Sequence, residues 1–262
     1  MWLKRQIPNL ITLLNLFCGC IAVILAIHNK LDFAALFVFL GIGFDFFDGF
    51  AARILKVQSE LGLQLDSLAD MLTSGLVPGI VMFQLIANLF GHPYDLVFSG
   101  ETIGTSISYE FVFKEFGLTY IPLIGLCITL ASAYRLAKFN IDTRQTTSFI
   151  GLPTPANTLL ILSLPLVLQY EEQVWVHDII LNPWFLIGLT ALSCYMLNAE
   201  IPLFGLKFKN WGFADNKVRY IFIVLTLILL VLLRFTAIPC AILLYVFMSL
   251  IFKEPIKEIM VK

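Results

Sequence analysis

Apolar runs of membrane-spanning length recur along almost the whole chain, at 7–27, 33–52, 63–89, 118–139, 155–168, 184–203, 220–234 and 237–252. A hydrocarbon layer offers no water to a free N–H or C=O, so a run of about 20 apolar residues must satisfy its backbone within itself, as a helix. The pattern predicts an all-α, polytopic transmembrane helical bundle of about eight spans. Composition points the same way. Of the residues 59% are hydrophobic and 13% charged, and the mean hydropathy of +0.90 lies outside the range of ordinary soluble domains.

Basic residues set the expected orientation. Lys4, Arg5, Arg53, Lys56, Arg135, Lys138, Arg144, Lys207, Lys209, Lys217, Arg219, Lys253, Lys257 and Lys262 fall at one set of span ends, against Lys30, Lys114 and Arg234 at the other. Both termini are therefore expected on the cytoplasmic side. A single domain over 1–262 is expected, with the final spans, 220–252, at its periphery. The stretch 109–116, in the long loop 90–117, reads as a short amphipathic element in the interface. The cysteines lack metal-ligand spacing and His28, His92 and His177 fall in loops, so no zinc site or catalytic triad is expected. A net charge of -1 gives no reason to expect a nucleic-acid partner.

Four aspartates interrupt the apolar background, Asp45 and Asp48 in the second run and Asp66 and Asp70 in the third. A carboxylate at the centre of a spanning helix costs about 2.5 to 3.5 kcal/mol on insertion scales, so a group of them calls for a cationic partner and a function. At about 100° per residue, Asp45, Asp48, Gly49 and Ala52 share one helical face, and Gly62, Asp66 and Asp70 share another. Only a short basic loop with Lys56 joins the two helices, so they are expected to be antiparallel neighbours with converging acidic faces. Hard divalent cations with oxygen ligands, Mg²⁺, Mn²⁺ or Ca²⁺, suit such a cluster.

Glycines at 49 and 62 leave the backbone open to something flat or bulky, such as a nucleotide, and Arg53 can reach a phosphate or pair with an aspartate. An ion pathway, structural ion pairs with Arg53 and Lys56, and acids lying in water beyond the membrane edge are competing readings. None of them requires the joint spacing of aspartates and glycines. On the first span, Asn9, Thr12, Asn15 and Gly19 form a polar stripe suited either to helix packing or to lining a polar cavity.

The run Asp45-x2-Asp48-Gly49-x2-Ala52-Arg53-x8-Gly62-x3-Asp66-x3-Asp70 resembles the signature of the CDP-alcohol phosphotransferase family at every position. That resemblance implies two divalent metal ions held by Asp45, Asp48, Asp66 and Asp70, with Asp70 also the catalytic base. It further implies a CDP-linked lipid bound beside Gly49, Ala52, Arg53 and Gly62. Segments 7–19, 135–140 and 149–156 are similar to those of bacterial and archaeal phosphatidylserine synthases. This second likeness implies CDP-diacylglycerol as donor and L-serine as acceptor. The expected setting is a prokaryotic inner membrane, among membrane lipid, with the active site facing the cytoplasm and the enzyme a homodimer.

Arg135 and Asn140 are the leading candidates to meet an acceptor's carboxylate or phosphate, followed by Lys138 and Arg144, which the positive-inside rule explains equally well. Gly151-Leu-Pro153 either shapes the acceptor pocket or simply separates two helices. A same-family transferase acting on glycerol 3-phosphate or an inositol compound, and a cation transporter, are the alternative functions.

Overall fold

The computed structural model describes residues 2–89, 120–142, 148–205, 212 and 216–252, with side chains from residue 6 onward except at 148–149. The stretch 109–116 and Arg144 lie outside the described residues.

Helix α1 (Trp2–Ile27) and helix α2 (Leu31–Ile54) form the most extensively packed pair. Ala22, Ala26, Ala34 and Ala35 are fully buried, and side chains this small let neighbouring backbones approach closely. The turn between the helices places Asn29 at φ 56°, a left-handed conformation that asparagine tolerates better than most residues. The end of α1 leaves carbonyls with no partner inside the helix. Gln84 reaches across to donate to two of them, Ala26 O at 3.1 Å and Ile27 O at 3.0 Å.

After the loop 55–59, Ser59 caps helix α3 (Glu60–Asp70) by accepting from Gly62 N at 3.1 Å. The helix continues through a π-helical turn, Met71–Leu76, into α4 (Val77–Leu89). Pro78 supplies a local cause: it has no N–H to offer Ser74 O, four residues back. Two threonines from other helices serve the carbonyls this turn exposes. Thr158 Oγ1 donates to Ser74 O at 2.8 Å and Thr129 Oγ1 to Gly75 O at 3.2 Å. The irregular turn begins directly after Asp70, and π turns within α-helices are frequent at functional sites.

A 3₁₀ turn, Ile121–Leu126, leads into α5 (Cys127–Ile141). Strand β1 (Ser148–Ile150) follows, then α6 (Thr154–Tyr170), whose middle, from Leu160 to Val167, is buried throughout. Helix α6 is the central post of the bundle, packed against α2, α4 and the π turn. The short α7 (Val174–Ile180) and α8 (Pro183–Asn198) are bent 64° to one another.

Strand β2 (Pro202–Phe204) pairs antiparallel with β1, setting Phe149 opposite Leu203. The bundle is helical as expected, and this two-stranded ribbon is a small addition to it. Strands of three residues flanked by loops show no alternation long enough to recognise. Gly151, at φ 74°, then turns the chain toward α6; a Cβ there would stand 2.7 Å from Leu197 O.

Helix α9 (Lys217–Leu233) and helix α10 (Ala237–Ile251) are separated by a 3₁₀ turn at Arg234–Thr236, where Arg234 has φ 46°. Glu171, at the end of α6, accepts from Phe235 N at 3.0 Å and ties this turn to the bundle. Only 11% of the most apolar part of Lys217–Ile251 is buried, as expected of a segment facing lipid.

The molecule is a helical membrane protein, but about eight spans were expected and the described residues differ. Five helices are long and apolar enough to cross a membrane, and six if the bent pair α7 and α8 counts as one span. Helix α6 has 17 residues, short of the length of about 20 that crosses alone, and it is enclosed by protein instead. The last two apolar runs form one near-continuous helical stretch, 35 residues in all.

Candidate active site

Helices α2 and α3 do not lie side by side as the short loop between them suggested. Helix α3 packs chiefly on α1, which lies against both. The acidic faces nevertheless converge, and ligand oxygens of Asp45, Asp48 and Asp66 all lie within 4.8 Å of one another. Asp48 is buried, and the Thr12 hydroxyl of α1 donates to its Oδ2 at 2.5 Å. Asp66 Oδ1 is buried without a hydrogen-bond partner. Carboxylates this close repel one another in a medium of low dielectric unless a cation neutralises them. An all-oxygen donor set with an unserved buried oxygen fits a hard divalent ion.

Beside the carboxylates opens a cleft of about 730 Å³. Helix α1 contributes Pro8, Asn9 and Thr12; α2 contributes Asp48, Gly49, Ala52 and Arg53; the loop and α3 contribute residues 57–60, Gly62, Leu63 and Asp66. All the residues expected beside a CDP-linked lipid thus line one cavity. Arg53 is exposed and its Nε donates to Gly49 O at 2.8 Å, which orients the guanidinium along the cleft wall. A Cβ placed on Gly49 would meet nothing nearer than Arg53 Nη2, at 3.6 Å, so protein packing does not require glycine there. At Gly62 a Cβ would press on Ser59 Oγ at 3.2 Å and Asn9 Oδ1 at 3.3 Å.

Asp70 stands one turn beyond Asp66 and outside the three-carboxylate group. It is half-buried, and Asp66, Asp48 and Arg135 are among the charges that act on it.

The acceptor candidates are not brought to one place. Arg135 is buried, with Nη1 donating to Thr154 Oγ1 at 3.3 Å, its guanidinium 5.7 Å from the Phe139 ring centroid, and Nε unpartnered. Asn140 instead donates through Nδ2 to Ser67 Oγ, on α3, at 2.9 Å. Five residues at about 100° each leave the two side chains about 140° apart around α5, too far to share a ligand by helix geometry alone. Lys138 pairs with Glu200 at 3.2 Å. Gly151 shapes the ribbon exit described above.

The polar stripe of α1 serves both of its expected roles. Asn9 and Thr12 line the cleft, while a Cβ on Gly19 would stand 2.7 Å from Thr73 Cγ2, so Gly19 serves helix packing. Ser59, Ser67 and Thr154 were not singled out from the sequence. Ser59, just ahead of an acidic first turn, carries a recognisable cap signal, whereas Ser67 and Thr154 matter only through partners distant along the chain.

The CDP-diacylglycerol–serine O-phosphatidyltransferase of Bacillus subtilis (strain 168) is 33% identical over 151 residues, 58% of this chain and 70% of that protein. The protein of the same name from Helicobacter pylori (strain ATCC 700392 / 26695) is 30% identical over 156 residues, 59% of this chain and 54% of its own. Archaetidylserine synthase of Methanothermobacter thermautotrophicus is 27% identical over 168 residues, 63% of this chain and 60% of its own. The chain thus spans less than two thirds of the Helicobacter and Methanothermobacter proteins. The sequence model of the CDP-alcohol phosphatidyltransferases matches residues 5–197, and the chain belongs to that family.

Proposed function

We propose that this protein transfers the phosphatidyl group of CDP-diacylglycerol to L-serine, giving phosphatidylserine and CMP. One observation carries the reaction class: Asp48 and Asp66 open into the same cleft as Gly49, Ala52, Arg53 and Gly62. The names of the Bacillus and Helicobacter relatives supply donor and acceptor.

Asp45, Asp48 and Asp66, with Asp70 at their edge, are the residues that would hold two divalent ions, Mg²⁺ or Mn²⁺, with Ca²⁺ a third candidate. Bound there, such ions supply charge neutralisation to the diphosphate and the departing CMP. Arg53 meets a phosphate oxygen from the cleft wall, and the bare backbone at Gly49 and Gly62 admits the nucleotide. Asp70 accepts the proton of the serine hydroxyl as its oxygen forms a bond to the phosphatidyl phosphorus and the bond to CMP breaks. The other carboxylates and the Arg135 cation both act on it electrostatically. Arg135 takes the serine carboxylate. Asn140 stands beside α3 through Ser67, and Lys138 and Arg144 supply positive charge on the same side of the membrane.

The reaction side is assigned to the cytoplasmic face of a prokaryotic inner membrane, with both termini there, on the distribution of basic residues. The chain is taken as a single domain that works as a homodimer. The test is CMP release from CDP-diacylglycerol with Mg²⁺ or Mn²⁺ present. Serine should raise it well above the level given by glycerol 3-phosphate, and equal release from both would remove serine as the acceptor. Asp70→Asn should lose turnover by a factor of at least about 10² while retaining CDP-diacylglycerol binding; unchanged turnover would remove Asp70 as the base.

A further inference from the structure

Ser74 O needs a donor from outside its own helix. Pro78, four residues on, has no N–H, and Val77 N–H reaches five residues back to Leu72 O. Thr158 of α6 supplies the donor, its Oγ1 standing 2.8 Å from Ser74 O. The same hydroxyl lies 2.8 Å from Thr154 O, one turn back on its own helix. A hydroxyl has one proton to give, so the two carbonyls share it.

Those carbonyls belong to two different parts of the site. Thr154 also holds Arg135, accepting from Nη1 at 3.3 Å. Ser74 lies in the π turn Met71–Leu76, which begins at the residue after Asp70. Direct hydrogen bonds thus join Arg135 of α5, the start of α6 and the turn that follows Asp70. Every member is buried: Arg135 is 6% exposed, Thr154 and Ser74 1% each, and Thr158 not at all. With little water to compete, such bonds hold more firmly than at a surface. Arg135 Nε has no hydrogen-bond partner, which leaves a buried donor for an acceptor's anionic group.

We infer that Thr158 is a positioning residue for the acceptor: its shared hydroxyl fixes the start of α6, and with it Arg135, against the π turn that follows Asp70. No residue of α6 lines the cleft beside Gly49 and Arg53, so nucleotide binding is not routed through Thr158. The inference rests on the proposed roles of Arg135 and Asp70, and it adds a residue from outside the aspartate run that sets one against the other.

Thr158→Val keeps the shape and removes the hydroxyl. In full-length protein assayed by CMP release, kcat/KM for serine should fall about 10-fold, the scale of a lost buried hydrogen bond with some displacement of the reacting groups. KM for CDP-diacylglycerol and the Mn²⁺ concentration for half-maximal release should change less than about two-fold. Thr158→Ser retains the hydroxyl and should stay within about two-fold of wild type. A role in packing alone predicts the reverse order, because valine fills the site and serine leaves a gap. In an Arg135→Lys background, Thr158→Val should cost little more, since the contact it supports has already been altered. Thr154→Val removes the contact to Arg135 and leaves Thr158 its two carbonyls, so it gives a second reading should Thr158→Val fold poorly. It should lower kcat/KM for serine by about five-fold.

An unchanged kcat/KM for serine in Thr158→Val or in Thr154→Val, full additivity with Arg135→Lys, or a greater loss in Thr158→Ser than in Thr158→Val would overturn the inference. The acceptor is settled first with the wild-type enzyme. Were glycerol 3-phosphate to drive CMP release instead, serine would fall as substrate and the same variants would be compared by kcat/KM for that acceptor.

Discussion

Thr12 illustrates how much a single hydroxyl can decide at the carboxylate cluster. Its proton goes to Asp48 Oδ2, which fixes that carboxylate's direction and leaves its other oxygen aimed elsewhere. Contacts of this kind behind a ligand commonly change metal affinity by 10-fold or more. Thr12→Val, nearly the same shape, should therefore raise the Mn²⁺ concentration needed for half-maximal CMP release by about 10-fold. An unchanged metal requirement would show that Asp48 is held well enough without it. At this scale the sequence showed which residues carry charge and which glycines leave space. It could not show that Arg135 and Asn140 engage different partners, because Thr154 and Ser67 are remote from them along the chain.

Between elements, the decisive contact is the one that lets the 3₁₀ turn before α5 lie on α4. A Cβ on Gly125 would stand 2.5 Å from Phe83 N and 2.9 Å from Met82 C, both backbone atoms that cannot swing away. Gly125→Ala should cost about 1 to 3 kcal/mol and displace α5, and with it Arg135, relative to α4. Thermal unfolding in detergent measures the first effect. Gly43→Ala, whose Cβ would meet nothing within 4 Å, is the control that should leave the melting temperature unchanged or slightly higher.

The π turn after Asp70 is half legible in the same sense. Pro78 announces that one helical hydrogen bond will be missing, but only packing shows that Thr158 and Thr129 take up the exposed carbonyls.

Over the whole molecule, the three carboxylates belong to parts of the chain that do not otherwise pack side by side. Asp45 and Asp48 come from α2 and Asp66 from α3, with α1 packed against both helices. Their mutual repulsion should be relieved by a divalent ion, so metal binding and folding are linked. Chelation should abolish CMP release and lower the melting temperature, and added Mg²⁺ should restore both, the stability rising with the logarithm of its concentration above the dissociation constant. A melting temperature indifferent to chelator and Mg²⁺ would separate the cluster from any metal role.

The sequence by itself determined the solvent and the residues of the candidate reaction centre. Long apolar runs can satisfy their backbones only as helices, and the fixed spacing of aspartates, glycines and Arg53 places them on two helical faces whatever those helices pack against. Tertiary structure decided how the faces meet and what stands around them. It packed α1 against both helices, enclosed α6 although it is short for a span, and formed the two-stranded ribbon. Helical periodicity reports a residue's neighbours one turn away. Contacts between distant segments depend on side-chain shape and on which buried polar groups remain to be satisfied, and these exist only once the bundle has assembled.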